Sequence, residues 1–177
     1  MSKVIATRVV ALGAVAAVGL ALAAPATAVA PPAPVVAADP GVSATEIVIG
    51  TTTPLTGPAS PGYKDIAPAS QAYFNYVNSK GGINGRKIKY VVYDDQYNPG
   101  LTKKVTNQLI LRDKIFAMYS ALGTPTHSAV VADLNRRGIP DVFVNTGGAA
   151  FDNAKKYPTT FPYFPSYVVE AKVMAYY

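Results

Sequence analysis

Two patterns of apolar and polar positions alternate along the chain: short β-branched runs, and longer stretches in which apolar residues recur every three or four positions. Glu46 to Thr51 (Glu-Ile-Val-Ile-Gly-Thr) reads as a first strand. Asp65 to Lys80 sets Ile66, Ala69, Tyr73, Tyr76 and Val77 on one helical face, and Gly81-Gly82 stops it. Lys87 to Tyr93 is a second strand ending at Asp94-Asp95. Asn98-Pro99 then opens a helix with Leu101, Val105, Gln108 and Leu109 at helical spacing up to Arg112. Ile115 to Tyr119 reads as a short buried strand. After a loop holding Ser120, Gly123, Thr124, Pro125 and Thr126, the spacing predicts one helix to Arg137 with Val130, Val131 and Leu134 inward. Gly138 ends that helix, and Ile139 to Val144 is a fourth strand.

Four strands alternating with three helices predict an α/β fold, a three-layer Rossmann-like parallel sheet wound by right-handed crossovers. Ligands of such sheets sit beyond the carboxyl ends of the strands, where strand order reverses. Three loops gather there: Thr51 to Ser60, Ser120 to Thr126, and Asn145 to Ala149. All are rich in hydroxyls and glycine and none carries a basic side chain, so the expected site is polar and uncharged. A helix start leaves backbone N–H groups without partners at the positive end of the dipole, which makes the loop entering at Thr124 a seat for a carboxylate.

Composition enters at the ends. Lys3 and Arg8 make a basic start, Val9 to Ala24 is an apolar run without charge, and Ala26-Thr27-Ala28 has the small residues of a cleavage site. Residues 1–28 therefore read as a signal peptide, too short in its apolar run to be a membrane anchor. Residues 29–44, with their prolines and small side chains, read as a flexible linker. Removing the leader's two positive charges lowers the formal charge from +6 to +4, too mild and too evenly spread to argue for nucleic acid. The absence of cysteine excludes both disulfides and a lipid on an N-terminal Cys. The expected product is exported, periplasmic or in the cell envelope, soluble once cleaved.

Signatures of catalysis are scarce. There is no phosphate loop, no dinucleotide fingerprint and no nucleophile elbow, and His127 is the sole histidine. Its position at a helix start predicts an exposed ring. Asp94-Asp95 are read as turn residues bonding nearby backbone, with a metal-dependent secreted α/β enzyme as the alternative. Tyr73 and Tyr76 are expected to pack, whereas Tyr63 stands in a loop where it could cover a ligand. After Phe151 the aromatic, proline-rich stretch Lys155 to Phe164 reads as a segment leaving the sheet, and Tyr167 to Tyr177 as an interrupted helix. The expected organisation is a ligand-binding lobe over 45–151, then a crossover and the start of a second, missing lobe over 152–177. A truncated product without function of its own is the remaining alternative.

Several stretches together resemble a known family. They are Ile47-Val48-Ile49-Gly50 with Leu55-Thr56-Gly57-Pro58, Asn78 to Ile88 (Asn-Ser-Lys-Gly-Gly-Ile-Asn-Gly-Arg-Lys-Ile), Tyr93-Asp94-Asp95, Ser120 to Thr126 and Gly138-Ile139-Pro140. The chain from Thr45 onward resembles the extracytoplasmic substrate-binding proteins of branched-chain amino acid type ABC transporters, with the type 1 periplasmic binding fold. The resemblance implies one lobe of a monomeric clamshell that takes a small amino acid, amide or carboxylate to a membrane permease, with no cofactor and no catalysis. It places carboxylate contacts at Thr124 and in the loop Thr146 to Ala149, and an aromatic cover near Tyr63. The expected ligand contacts are Tyr63, Leu122, Gly123, Thr124, Thr126, Thr146, Gly147 and Gly148. Gly148-Ala149 stand where the family often has a hydroxyl.

Overall fold

The computed structural model describes residues 39–177, so the leader expected over 1–28 and the linker up to residue 38 lie outside the described residues. Five parallel strands form one sheet: β1 (Glu46–Thr53), β2 (Lys87–Asp94), β3 (Ala117–Tyr119), β4 (Asp141–Val144) and β5 (Thr160–Pro162), in the order β2-β1-β3-β4-β5. The helices are α1 (Ser60–Tyr63), α2 (Ile66–Ser79), α3 (Pro99–Leu111), α4 (Thr124–Ser128), α5 (Val131–Arg136) and α6 (Tyr167–Met174).

The order of strands follows from the handedness of the connections. The step from β1 to β2 runs one way along the sheet and the step from β2 to β3 runs back across β1, so right-handed crossovers place α2 on one face and α3 on the other. Strand β1 is covered on both faces, which is why its run Ile47-Val48-Ile49 is continuous rather than alternating. On the α2 face Ala67, Phe74 and Tyr90 form the core, the Phe74 and Tyr90 rings meeting edge to face at 5.1 Å. On the opposite face Val48, Leu109, Ile115, Met118, Val130 and Leu134 pack together. Gly50 lets α3 approach there, since a Cβ would lie 2.8 Å from Leu109.

Several expectations need correction. The inward face of α2 is one residue off the expected stripe: Ala67 and Phe74 are buried, while Tyr73 and Tyr76 are 64% and 60% exposed. Phe74 carries more apolar surface than Ala69, and the helix turns it inward; Asn78 follows on the same side and ties α2 to β2, donating to the Ile88 carbonyl and accepting from the Ile88 amide. The helix expected up to Arg137 is two short ones, interrupted at Ala129 and Val130. Residues 39–44 are bound to the fold rather than free, with Val42 bridged to Ile47 and the Val48 amide donating to the Gly41 carbonyl.

The stretch after Phe151 does not leave the sheet. It supplies β5, which pairs in parallel with β4. Asn135 holds it by accepting from the amide and hydroxyl of Thr159 and donating to the Thr160 hydroxyl. Polar ties between α5 and β5 are invisible to apolar periodicity, which is why the strand was not expected.

Candidate functional site

Because all five strands run in parallel, every strand-to-helix loop empties at the same edge. Strand order reverses between β1 and β3, and there the loops touch. The Leu122 amide donates to the Thr52 carbonyl, the Asn145 amide to Ala121 and the Gly123 amide to Asn145, so the loops after β1, β3 and β4 are stitched into one surface. The backbone of Leu122 and Asn145 even continues the parallel pairing for one bridge.

Two hydroxyls meet in that surface. Thr124 Oγ1 and Thr146 Oγ1 lie 2.5 Å apart. Thr146 donates to the Tyr167 hydroxyl at 3.2 Å and accepts from the Gly148 amide at 3.3 Å. A threonine hydroxyl has one proton, so with that proton given to Tyr167 the short bond must be donated by Thr124. The chain of donation therefore runs Thr124 to Thr146 to Tyr167, and the free donor at its end is the Tyr167 O–H.

A cleft of about 230 Å³ opens at this point. Tyr63, Leu122, Gly123 and Thr146 line it, together with Tyr97, Asn145, Phe164, Tyr167 and Glu170. Gly147 and Gly148 line an adjoining cavity of about 150 Å³ that shares Thr146 and Phe164. Gly147 leaves room for α6: a Cβ would lie 2.5 Å from the Tyr167 ring, and its carbonyl accepts from the Tyr167 amide. Gly123, at φ +104°, supports the Tyr97 ring in the same way.

Thr126 is brought elsewhere. It is fully buried and its hydroxyl is donated to the Leu122 and Gly123 carbonyls, so it braces the loop from beneath instead of facing the cleft. His127 is likewise buried, not exposed as expected, with Nε2 2.8 Å from Asp141 Oδ2 and its ring edge-on to Phe151 at 4.9 Å. The helix breaks at Ala129 and Val130, and α4 before the break buries both Thr126 and His127. A helix of five residues with Pro125 in its first turn also sums few peptide dipoles, so the seat at Thr124 relies on single polar groups more than on a macrodipole.

Asp94 and Asp95 bond backbone, as the turn reading expects. Asp94 accepts from the amides of Leu55, Thr56 and Gln96 and from the Thr56 hydroxyl. Burial disfavours its charge, yet these bonds, with the Thr56 hydroxyl foremost among them, hold the carboxyl below the ordinary 3.8. Asp95 accepts from the Tyr97 amide and the Thr102 hydroxyl, and burial holds its carboxyl above the ordinary value. The pair thus fastens the loop after β1 to the loop after β2, which carries Tyr97 at φ +60°. Burial, and after it the neighbouring Tyr63 and Tyr167 phenols, raise the Tyr97 hydroxyl above its usual range.

The surroundings are more aromatic than expected, and acidic: among the described residues Glu170 is the one charged residue lining the cleft. Tyr97, Phe164, Tyr167 and Glu170 are the residues that reading the sequence missed. Tyr97 could have been found, because the loop after β2 must open at the same edge as the others in a parallel sheet. Tyr167 and Glu170 could not, since their place depends on β5 pairing with β4.

A family model described as periplasmic binding protein matches residues 46–177. Among curated relatives, an amino acid binding protein of Pseudomonas aeruginosa is 44% identical over 73 residues, 41% of this chain and 19% of that protein. A solved fatty acid ABC transporter substrate-binding protein from Thermomonospora curvata is similar at 34% identity and TM-score 0.53, over 59% of this chain and 26% of that one. A possible leucine/isoleucine/valine-binding protein from Rhodopirellula baltica is similar at 25% identity and TM-score 0.67, over 75% and 35%. The chain spans between about a fifth and a third of the length of the curated relatives it matches. No helix among the described residues is long and apolar enough to cross a membrane.

Proposed function

The chain belongs to the periplasmic binding protein family, and from that premise we propose that it forms the first lobe of an extracytoplasmic solute-binding component of an ABC transporter. Its ligand is a small amino acid, amide or related polar organic solute, handed on to a membrane permease. The observation that carries this reading is the convergence of Tyr63, Gly123, Thr146 and Tyr167 on one cleft at the strand-order switch, with the Thr124–Thr146–Tyr167 relay ending in a free donor. Such a donor replaces water around a ligand's carboxylate or carbonyl without placing a basic charge in the site.

Binding rather than turnover suits the residues present. The carboxylates of Asp94 and Asp95 are committed to amides and hydroxyls, which leaves the enzyme alternative without its acid and base. In this proposal residues 1–28 direct export, residues 45–151 carry most of the seat, and a second lobe closes over the ligand, as the resemblance implies. Without such a lobe the seat is an open ledge, which lowers affinity.

The test is a calorimetric and NMR titration of the 177-residue chain with amino acids, amides and small carboxylates. Expected are weak isotherms, none submicromolar, with shifted amides at Gly123, Thr124, Gly147 and Tyr167. Perturbations that map to a different face, or no response to any solute in the panel at millimolar concentration, would reject the seat.

A further inference from the structure

We propose that the cleft selects a solute bearing an alkylated ammonium group, held among Tyr63, Tyr97, Phe164 and Tyr167 with Glu170 as its counter-charge. This deepens the reading of the cleft as the ligand seat and rests on it.

Four aromatic rings line one cleft of about 230 Å³, smaller than the roughly 300 Å³ at which sites for drug-sized ligands begin, so a compact solute fits. Two of those rings are supported by glycine backbone, Tyr97 by Gly123 and Tyr167 by Gly147, which fixes them where they stand. Aromatic rings carry negative charge on their faces and attract a cation brought within about 6 Å of their centres. Glu170 lies one turn along α6 from Tyr167, hence on the same side of the helix. Its carboxylate has no ion-pair partner among the described residues. No Lys or Arg among the described residues lines the cleft to compete with a cationic guest.

The type of cation follows from the acceptors on offer. A primary ammonium brings three hydrogens, and each needs an acceptor. The Thr146 hydroxyl already accepts from Thr124 and from the Gly148 amide, and the Asn145 carbonyl from the Gly123 amide. Acceptors left are the Asn145 side-chain oxygen, the phenol oxygens and one carboxylate, but four rings dominate the lining, and π surface of that extent suits a nitrogen whose hydrogens are replaced by methyl groups. The Tyr167 hydroxyl, the free end of the relay, is placed to donate to a carboxylate or carbonyl at the solute's other end.

The experiment titrates the 177-residue chain by tyrosine-ring NMR with trimethylglycine, its carbon isostere 3,3-dimethylbutanoate, which keeps the carboxylate and lacks the cation, glycine and tetramethylammonium. Trimethylglycine is expected to bind about tenfold more tightly than either the isostere or glycine, and tetramethylammonium to shift the same rings. Glu170→Gln, at an exposed position that leaves the fold intact, should cost about tenfold for trimethylglycine and should not weaken the isostere, whose net negative charge gains from losing the carboxylate. Tyr97→Phe, which keeps the ring, should bind as the native chain does, and Tyr97→Leu should not. Equal affinity for trimethylglycine and its isostere, or an unchanged affinity in Glu170→Gln, overturns the alkylammonium assignment and leaves the seat standing. No shift in these rings with any of the four, nor with the wider amino acid and amide panel, overturns both.

Discussion

Thr124 and Thr146 join two loops of the sheet through one hydroxyl-to-hydroxyl bond of 2.5 Å, and that bond decides which group faces a guest. Since Thr146 also serves Tyr167 and the Gly148 amide, neither threonine is free to act as the outward donor. Thr146→Val keeps the shape and removes the hydroxyl. It should lower stability by about 1–3 kcal/mol, because the half-buried Gly148 amide and the Thr124 hydroxyl lose their partner, and should weaken any ligand seen by the native chain. Urea unfolding and the titrations above measure both. A variant as stable as the native chain would mean the relay is not formed in solution.

Gly123 carries the second prediction. At φ +104° an added Cβ is strained by the backbone alone, and it would overlap the Tyr97 ring and come within 2.6 Å of Thr126 Oγ1. Gly123→Ala should therefore cost about 1–3 kcal/mol and displace Tyr97. A loss of stability in urea with a changed near-ultraviolet tyrosine signal is expected. An unaltered tyrosine signal would argue that the ring does not rest on Gly123.

How far these features can be read from the sequence depends on their range. Strand β1, α2 and the cap of α3, where Asn98 accepts from the Gly100 and Leu101 amides, are fixed by neighbours in the chain, and the residue pattern shows them. The gathering of loops follows from parallel topology, so Tyr63, Gly123 and Thr146 could be placed together from their loops alone. The failures share a different cause. Burial of His127 rests on Asp141, and β5 rests on Asn135, partners 14 and 24 or more positions away and polar. Hydrophobic periodicity carries no information about such pairs. Tyr73 and Tyr76 misled for a simpler reason: the whole stripe of α2 is turned by one residue toward Phe74.

Acid should act on the two neighbouring aspartates in opposite senses. Asp94 is held below its ordinary 3.8 in the folded chain, so its contribution is complete above that value and lost as pH falls through the lower folded one. Asp95 is held above it, so its ionised form weighs against the fold, and the relative gain present below 3.8 disappears as pH rises through the raised value. Asp94→Asn should lower the urea midpoint at neutral pH and flatten its decline in acid. Asp95→Asn, which retains an acceptor for the Tyr97 amide, should leave the neutral-pH midpoint unchanged or higher. Should Asp95→Asn be the more damaging of the two at pH 7, the assignment of roles is wrong.

The firmest stability prediction concerns Asp141, fully buried at the start of β4. Its Oδ2 accepts from the Thr160 hydroxyl at 2.9 Å and meets His127 Nε2 at 2.8 Å, so one oxygen links α4, β4 and β5. Asp141→Ala strands both partners in a dry interior, where His127 Nδ1 already lacks one. Removing one member of such a buried pair costs about 3–5 kcal/mol, a large share of what holds a domain of this size together. Thr160→Val removes the link to Asp141 and the Asn135 bond to the same hydroxyl but leaves the histidine paired, so about 1–2 kcal/mol is expected there. Because β5 and then α6 depend on this junction, limited proteolysis of Thr160→Val should cut first between Asp152 and Tyr167 while β1 to β4 stay intact. Equal urea midpoints for the two variants would show that His127 and Asp141 contribute no more than the threonine does.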